Sequence, residues 1–373
     1  MKTAIIGMIG LGFWIAGVTS EAIASAKEVE VGIDQFERIT PEEAGYSSEK
    51  LGELAAYLKN KNSSSMMLLY DGKVFFEWGD IYKKHTIHSM RKPLMSALLG
   101  QLYDQGKLDL SLTLKALDAQ DEPSPLTEEE QSATLDMILK SRSGIYHDAV
   151  AESEWMKKTK PKRGSHKPGE AYYYNNWNFN YAGYLYEQIS GKKIYDAFYE
   201  QIARPIGMQH FKGSFTTVDS NANESIPQTD GFYDYDRKSS QYPAYHFRLS
   251  SHDLALFCQL FLNRGKWKGK QLISEEWIDK STRPYSITNE KYGLAYGIFW
   301  AVLTKDKDDP YPHSFYHTGT GVHMIGVYPK HKLVMVHRVD TEKHDYTFKN
   351  NDLYPVIRMM HGARINYLNI KAL

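Results

Sequence analysis

The spacing of hydrophobic and polar residues near the start of the chain predicts a helix followed by a pair of strands. Residues 47–60 ("SSEKLGELAAYLKN") place leucines at helical spacing behind a serine that can cap the helix. Residues 66–79 ("MMLLYDGKVFFEWG") form two apolar, aromatic runs on either side of Asp71-Gly72. That dipeptide is typical of a two-residue hairpin turn, so we expect an antiparallel strand pair here.

The middle of the chain, about 90–280, has mainly helical patterns separated by loops rich in proline, glycine and asparagine. One helix is predicted to end at Gly144, a second at Gly191, and a third, which begins with a serine cap, at Gly265. The tail then returns to strand patterns in "YGIFWAVL", "GVHMIGVYP" and "KLVMVHRVD", and a last helix is predicted over 350–362.

This order of elements favours an α+β fold. Strands at both ends of a chain, with helices between them, predict that the N- and C-terminal strands share one antiparallel sheet flanked by helices. We therefore predict a sheet domain formed by 27–88 and 285–373, and an inserted, mainly helical domain over 89–284. A functional site is expected at the interface between the two.

The first residues have the pattern of a secretory signal. Lys2 precedes an apolar run over 4–18, and "ASA" at 24–26 offers the small residues that signal peptidases cut. The run is shorter than the roughly 20 residues that span a bilayer. We therefore expect 1–26 to be a signal peptide, the protein to be periplasmic or secreted, and no stable membrane span after cleavage; an uncleaved anchor remains the alternative.

Charge and cysteine content exclude some classes of protein. Lysine plus arginine and aspartate plus glutamate both number 45, so the basic excess of a nucleic-acid binder is missing. Cys258 is the single cysteine and cannot form an internal disulfide. There is no H-E-x-x-H motif, and His85, His88 and His313 are scattered, so we expect no metal site. The oligomeric state stays open.

The segment "HSMRKPLMSALLG" (88–100) contains the strongest candidate for chemistry. Ser89 and Lys92 are three residues apart, so in a helix both side chains share one face. A serine becomes a nucleophile when a neighbour takes its proton, and a lysine can do so if its pKa is lowered. The same spacing recurs at 47–50 and 190–193, where a solvated helix face is the simpler interpretation. The pair alone therefore leaves both readings open.

Two further motifs accompany this pair. Tyr174-Asn175-Asn176 precedes a predicted helix, and His317-Thr318-Gly319 stands at the head of a predicted strand. Taken singly, each is compatible with ordinary packing, capping or close backbone approach. In this order and spacing, the three motifs resemble the signature of the penicillin-recognising serine hydrolases, which include class C β-lactamases, DD-carboxypeptidases and related esterases, amidases and 6-aminohexanoate-oligomer hydrolases.

The resemblance extends over roughly 40–362. It includes "LDMILKSRSGI" (135–145), "KPGEAYYYNNWNFNYAG" (167–183) and "LSSHDLALFCQLFLNRGKWKGKQLISEEWI" (249–278). It implies a β-lactamase/DD-peptidase-like fold and no cofactor. Asn175 stands where serine or alanine is commoner in the family, at a position that looks permissive.

The resemblance also implies catalytic roles. Ser89 would be the acylated nucleophile, Lys92 its proton acceptor, and Tyr174 the group that passes a proton to the leaving group. His317 occupies the position where many members have lysine. A histidine with an ordinary pKa of about 6.5 would make activity depend on His317 between acid and neutral pH.

The remaining implied roles concern binding. Asn176 would contact the amide or acyl side chain of the substrate, and Thr318 a substrate carboxylate or Tyr174, with Gly319 in the same binding segment. The oxyanion hole would consist of the backbone N–H groups of Ser89 and Thr320, the latter on an edge strand.

The function implied is that of an exported serine hydrolase that cleaves an amide or ester through an acyl-enzyme on Ser89. The partner would be a small-molecule or short-peptide substrate. A DD-carboxypeptidase or D-amino-acid peptidase acting on peptidoglycan-like peptides, and a true β-lactamase, are alternatives. A non-catalytic periplasmic binding or sensing module that kept the fold is the competing class.

Overall fold

The computed structural model describes residues 36–222, 225–304, 313–343 and 345–365. The predicted signal segment 1–26 lies outside them. Its helices are α1 Ser48–Asn60, α2 Arg91–Asp104, α3 Glu128–Gln131, α4 Leu135–Leu139, α5 Glu154–Thr159, α6 Asn176–Ser190, α7 Ile194–Phe198, α8 Arg204–Ile206, α9 Ser251–Leu262, α10 Glu275–Ser281 and α11 Asn350–Gly362. Short 3₁₀ helices span His88–Met90 and Pro329–His331, and a π-helical turn, Tyr199–Ala203, joins α7 to α8.

The strands belong to three sheets. They are β1 Ser65–Tyr70, β2 Lys73–Gly79, β3 His85–Thr86, β4 Phe215–Asp219, β5 Gly231–Tyr235, β6 Ala244–Leu249, β7 Lys266–Trp267, β8 Lys270–Gln271, β9 Ser286–Asn289, β10 Leu294–Tyr296, β11 Ala301–Leu303, β12 Phe315–Gly319, β13 His323–Tyr328 and β14 Leu333–Arg338. The largest sheet has eight antiparallel strands in the order β2-β1-β14-β13-β12-β11-β10-β9.

The pairing of β1 with β14 joins the two ends of the chain. Met67 lies opposite Val336 in this antiparallel pair. The hairpin between β1 and β2 turns at Asp71 and Gly72, which both have positive φ (50° and 81°), as a tight hairpin turn requires. The predicted α+β fold, with one antiparallel sheet built from both ends of the chain, is confirmed.

The eight-stranded sheet separates two apolar layers. Along β1, Met67 and Leu69 point into the larger core, which contains α2, α6 and α9. Met66 and Leu68 point to the other face, which α1 and α11 cover. This alternation follows from the two-residue period of a strand. We call the first face the inner face and the second the outer face, and α2 begins on the inner side.

The middle of the chain holds more strand than its pattern predicted. A second sheet, in the order β3-β6-β5-β4, lies within the region taken as mainly helical. Every residue of β6 is buried, so its sequence lacks the alternation that marks a half-exposed strand. In addition, the run "YGIFWAVL" is not one strand, because a turn with Phe299 at φ 63° separates β10 from β11. The helix expected to end at Gly144 already ends at Leu139.

The division into a sheet domain and a helical domain stays a prediction. One apolar cluster contains Met67 of β1, Leu98 of α2 and Val336 of β14, and it runs through both proposed parts. No helix within the described ranges is long and apolar enough to cross a membrane.

Candidate active site

Ser89 lies in the 3₁₀ turn that leads directly into α2. The preceding residue, His88, has φ 49°, a left-handed conformation that side chains other than glycine seldom adopt. Its Nε2 atom lies 2.8 Å from Oγ1 of Thr341, which holds the strained residue in place. Backbone strain of this kind is concentrated at functional sites. The sequence predicted an ordinary helix start here, and the structure replaces it with a tighter turn.

Lys92 is completely buried, and its amine faces the serine. Its Nζ donates a hydrogen bond to Ser89 Oγ at 3.0 Å. The ring centroids of Tyr174 and Phe179 lie 4.7 Å and 4.4 Å from Nζ. Among the described residues, no carboxylate pairs with this amine. Burial, with a smaller contribution from the Arg91 guanidinium, holds the pKa of Lys92 well below its usual 10.5. The residue therefore supplies the free amine that a general base needs.

Tyr174 brings a buried phenol to the same place. Burial raises the pKa of Tyr174, and an interaction with the Ser89 hydroxyl only partly opposes this rise. Its hydroxyl does not reach full hydrogen-bond geometry with any described group. The phenol is thus protonated at neutral pH and can donate a proton next to Ser89.

His317 is buried on β12, where it is uncharged. Its Nδ1 lies 2.7 Å from the carbonyl oxygen of Thr318, which can only accept, so Nδ1 carries the proton. Burial and the nearby Lys92 lower the pKa of His317 to about 3. The expected dependence of activity on His317 between acid and neutral pH therefore moves down to about pH 3. The physical reason is that a fully buried imidazole resists protonation.

Gly319 sets how closely β12 approaches the 3₁₀ turn. A Cβ added at this position would lie 2.6 Å from the carbonyl oxygen of Ile87 and 3.3 Å from Cβ of His88. Contacts this short are not tolerated between a carbon and a backbone oxygen, so only glycine fits. We call this approach the strand–helix contact. It fixes the distance between the serine and the strand that carries His317.

Thr320 occupies a different place from the one predicted. It follows the last residue of β12 and lies in a turn, and β12 is an inner strand of the sheet between β11 and β13. The partner β11 pairs only with Phe315 and Tyr316, so the later part of β12 is unpaired on that side. Within the described ranges, the backbone N–H groups of Ser89 and Thr320 donate to no other protein group. Both residues line the same cavity, and two free donors beside a nucleophile suit an oxyanion.

A cavity of about 570 Å³ brings most of the predicted residues together. Its lining includes Ser89, Tyr174, His317, Thr318, Gly319 and Thr320, and Lys92 lies directly behind Ser89. The other wall residues include Trp155, Tyr172, Tyr173, Tyr296, Tyr316 and Asn350. Sequence reasoning did not single out these wall residues. The one signal for them was the density of tyrosines in "EAYYYNN", which is also compatible with ordinary core packing.

Asn176 is not among the residues that line this cavity, and the substrate contact expected of it stays a prediction. The residue is 2% exposed, and its side-chain amide donates to the carbonyl oxygen of Ala151 at 2.6 Å. Asn180, one turn later in α6, donates to the carbonyl oxygen of Val150 at 3.1 Å. Asn175 likewise bonds the carbonyl oxygen of Ile145. These asparagines fasten the loop 145–151 to the start of α6.

One group of potential metal ligands lies elsewhere. Donor atoms of His210, His252 and Asp253 lie within 4.8 Å of one another. However, the Asp253 carboxylate already accepts the backbone N–H groups of Gln209, His210 and Phe211, each at 3.0 Å. Its evident role is to hold that loop against α9.

A family model described as Beta-lactamase matches residues 63–352, which is more than half of the chain. The chain belongs to the Beta-lactamase family. Its fold is the mixed α+β fold shared by β-lactamases and penicillin-binding proteins. No curated protein sequence matches the chain.

Three solved structures illustrate the likeness of this Beta-lactamase family chain. One, provisionally named a 6-aminohexanoate-dimer hydrolase from Bacillus anthracis, is 17% identical, covers 91% of this chain and 89% of its own, and has a TM-score of 0.60. A penicillin binding protein from Bacillus halodurans is 16% identical (83% and 99%, TM-score 0.60). A D-stereospecific amidohydrolase from Streptomyces sp. is 14% identical (83% and 96%, TM-score 0.58). At these identities the likeness shows the fold.

Proposed function

We propose that this chain is an exported serine hydrolase that cleaves an amide or ester bond through an acyl-enzyme on Ser89. The single observation that carries the proposal is the 3.0 Å hydrogen bond between the Lys92 amine and the Ser89 hydroxyl. A buried lysine without a carboxylate partner is costly to keep in a core. Its position beside a hydroxyl at a cavity wall is explained by base catalysis.

Acylation would proceed as follows. Lys92 Nζ takes the proton of Ser89 as Oγ forms a bond to the carbonyl carbon of the substrate. The carbonyl oxygen becomes an oxyanion, which the N–H groups of Ser89 and Thr320 can stabilise. When the bond to the leaving nitrogen or oxygen breaks, that atom receives a proton from Tyr174, which recovers one from the Lys92 ammonium. Ser89 is left as an ester.

Deacylation repeats these steps with water. Lys92 Nζ accepts a proton from the attacking water as the water oxygen bonds the acyl carbon, and the Lys92 ammonium returns that proton to the Ser89 oxygen as the ester bond breaks. His317 contributes no charge to acylation or to deacylation, because its pKa is about 3. Its Nε2 atom is an acceptor, and we assign it a role in orienting hydroxyl or amide hydrogens. Export rests on the pattern of 1–26, and N-terminal sequencing of the protein from a periplasmic fraction tests it.

The experiment is to incubate the protein with a fluorophosphonate serine probe and measure its intact mass. We expect one covalent adduct on the wild type and none on Ser89→Ala. Ser47→Ala is the matched control, because Ser47 also stands three residues before a lysine but caps α1, where Lys50 pairs with Glu53. This control should be labelled as fully as the wild type.

A second readout separates the enzyme from the non-catalytic alternative. A panel of p-nitrophenyl esters, D-alanyl peptides and a chromogenic cephalosporin would be tested for turnover that Ser89→Ala abolishes. Absence of both adduct and turnover in the wild type would favour a binding or sensing module. The class of compound turned over decides among esterase, peptidase and β-lactamase.

A further inference from the structure

A second cavity adjoins the active-site cavity. It has a volume of about 480 Å³ and lies between the outer face of the eight-stranded sheet and α11. We call it the α11 cavity. Four residues line both cavities, Tyr316, Thr318, Gly319 and Asn350. The two cavities therefore share part of their walls at β12, which packs against the turn that carries Ser89.

The pairing of β12 explains how residues of one strand line both cavities. The strand β11 pairs with Phe315 and Tyr316 and then ends its contact with β12. Beyond Tyr316, no strand of the described residues pairs with that flank of β12, and residues of this stretch line the cavities on both sides of the sheet. Tyr316 and Thr318 alternate with His317 along the strand and therefore point to the outer face.

The lining of the α11 cavity is mostly apolar and, in the described part of the chain, contains no acidic or basic side chain other than a histidine; its polar groups are the hydroxyls of four tyrosines and Thr318, the amide of Asn350 and the imidazole of His361. Its side chains include Leu294, Leu303, Met324, Leu353 and Ile357. No aspartate, glutamate, lysine or arginine lines it among the described residues. Its histidine, His361, has its pKa lowered to about 4 by burial and is neutral above that pH. A cavity of this size and composition suits an apolar group.

We propose that the α11 cavity binds an uncharged, apolar arm of the substrate, such as an alkyl chain or an aryl group, while the ester or amide lies at Ser89. This inference rests on the proposed function for the position of the reacting bond. It defines the substrate class more closely: one side of the scissile bond is apolar and carries no terminal charge. A chain ending in a carboxylate or an ammonium would lose its hydration without gaining a partner.

The test measures binding and turnover separately. Binding of butanamide, hexanamide and octanamide is measured by calorimetry on the wild type and on Ser89→Ala. Turnover is measured as kcat/KM on p-nitrophenyl esters of the same acyl lengths, and on acetate esters of alcohols of increasing length. Ile357→Trp is designed to fill the cavity. Arg358→Trp, which places the same bulky side chain at the next, exposed residue of α11, is the control.

We expect the Kd of the amides to fall about two- to fourfold for each added methylene in the wild type, Ser89→Ala and Arg358→Trp. In Ile357→Trp this gain should disappear. In one of the two ester series kcat/KM should follow the same trend. If Ile357→Trp does not fold, Ile357→Ala serves instead, and it should extend the gain to longer chains.

A Kd that is independent of chain length, or a gain that survives in Ile357→Trp, would overturn the proposal. If the Kd falls with chain length as expected but no Ser89-dependent adduct or turnover is found, the apolar binding role of the α11 cavity is supported and the catalytic role of Ser89 is contradicted. If turnover depends on Ser89 but neither amide binding nor ester turnover changes with chain length, the catalytic role of Ser89 is supported and the binding role of the α11 cavity is contradicted. A hexanoate-terminated ester that binds as well as its methyl-ended counterpart would also contradict the uncharged character of the arm.

Discussion

The chain contains the same serine–lysine spacing at 89–92 and at 190–193, and the two places differ in every physical respect. Lys92 is fully buried, bonds Ser89 and has no carboxylate partner among the described residues. Lys193 is 54% exposed at its side chain and bonds Glu187 at 2.8 Å. As a result the pKa of Lys92 is lowered by burial, whereas the hydrogen bond that Lys193 donates to Glu187 raises the pKa of Lys193.

The difference shows that the surroundings, rather than the spacing, decide whether the pKa of a lysine is lowered or raised. Ser190 ends α6 ahead of Gly191, so its partner lysine already lies outside the helix and in water. Ser89 precedes a helix that is buried along most of its length, so the lysine one turn later is forced into the core. The spacing of a serine and a lysine therefore indicates a functional pair only when other parts of the fold bury the lysine.

The largest expected effect comes from removing the amine of Lys92, compared with removing, separately, that of Lys193. Lys92→Met keeps an unbranched apolar chain in the core but removes the proton acceptor, so kcat/KM on a responsive ester should fall by about 10²–10⁴. Lys193→Met should leave kcat/KM within about twofold. Steady-state kinetics with each variant checks this, and a Lys92→Met enzyme that stays active would show that another group is the base.

A second test opens the strand–helix contact. Gly319→Ala places a Cβ 2.6 Å from the Ile87 carbonyl oxygen, so β12 and the 3₁₀ turn must separate. We expect kcat/KM to fall about 10–100-fold through misplacement of the reacting groups, and the free energy of unfolding to fall by about 1–3 kcal/mol. Gly52→Ala is the control: it lies in α1 with nothing within 4 Å, and it should stabilise the protein by up to about 1 kcal/mol. Kinetics and urea unfolding of both variants give the answer.

A third test uses the pH dependence of stability. Because Lys92 holds its proton less tightly in the folded protein than in the unfolded chain, the unfolded chain takes up a proton first as pH falls below about 10.5. Stability is therefore lost toward low pH. Lys92→Met should be more stable than the wild type at pH 7, and this advantage should shrink as pH approaches 10. A pH-independent difference in urea unfolding would argue against an amine with a lowered pKa; Lys193→Met, at an exposed pair, should show almost no effect.

The smallest expected effect concerns His317. Since its pKa is about 3, His317→Gln should leave the acid limb of the kcat/KM profile unmoved between pH 5 and 8. That limb should report Lys92 instead. A shift of the limb in His317→Gln would mean that the imidazole carries charge during turnover, which would revise its role as a neutral acceptor.

Much of the site could be predicted because it depends on local spacing and order along the chain. The hairpin at Asp71-Gly72, the helix that follows Ser89, and the last helix over 350–362 all follow from patterns within a few residues. The resemblance then supplied which distant motifs meet. The structure places Ser89, Tyr174 and His317 around one cavity, as that order implied.

The rest depends on contacts that leave no pattern. Asn176 looks like a ligand-binding amide in the sequence, but its partner is the carbonyl oxygen of Ala151, and a backbone oxygen has no sequence signature. β6 is buried on both faces, so it lacks alternation. The neutral state of His317 follows from burial by elements far away in the sequence. These are tertiary effects, and no window of a few residues contains them.

The strand–helix contact limits how substitutions can alter the site. Its shortest approach is main chain on both sides: the carbonyl of Ile87 on one side and a residue without a side chain, Gly319, on the other. No exchange of side chains can widen it without breaking it. Substitutions in the surrounding walls can therefore reshape the cavity, while the spacing between the Ser89 turn and β12 stays as the main chain sets it.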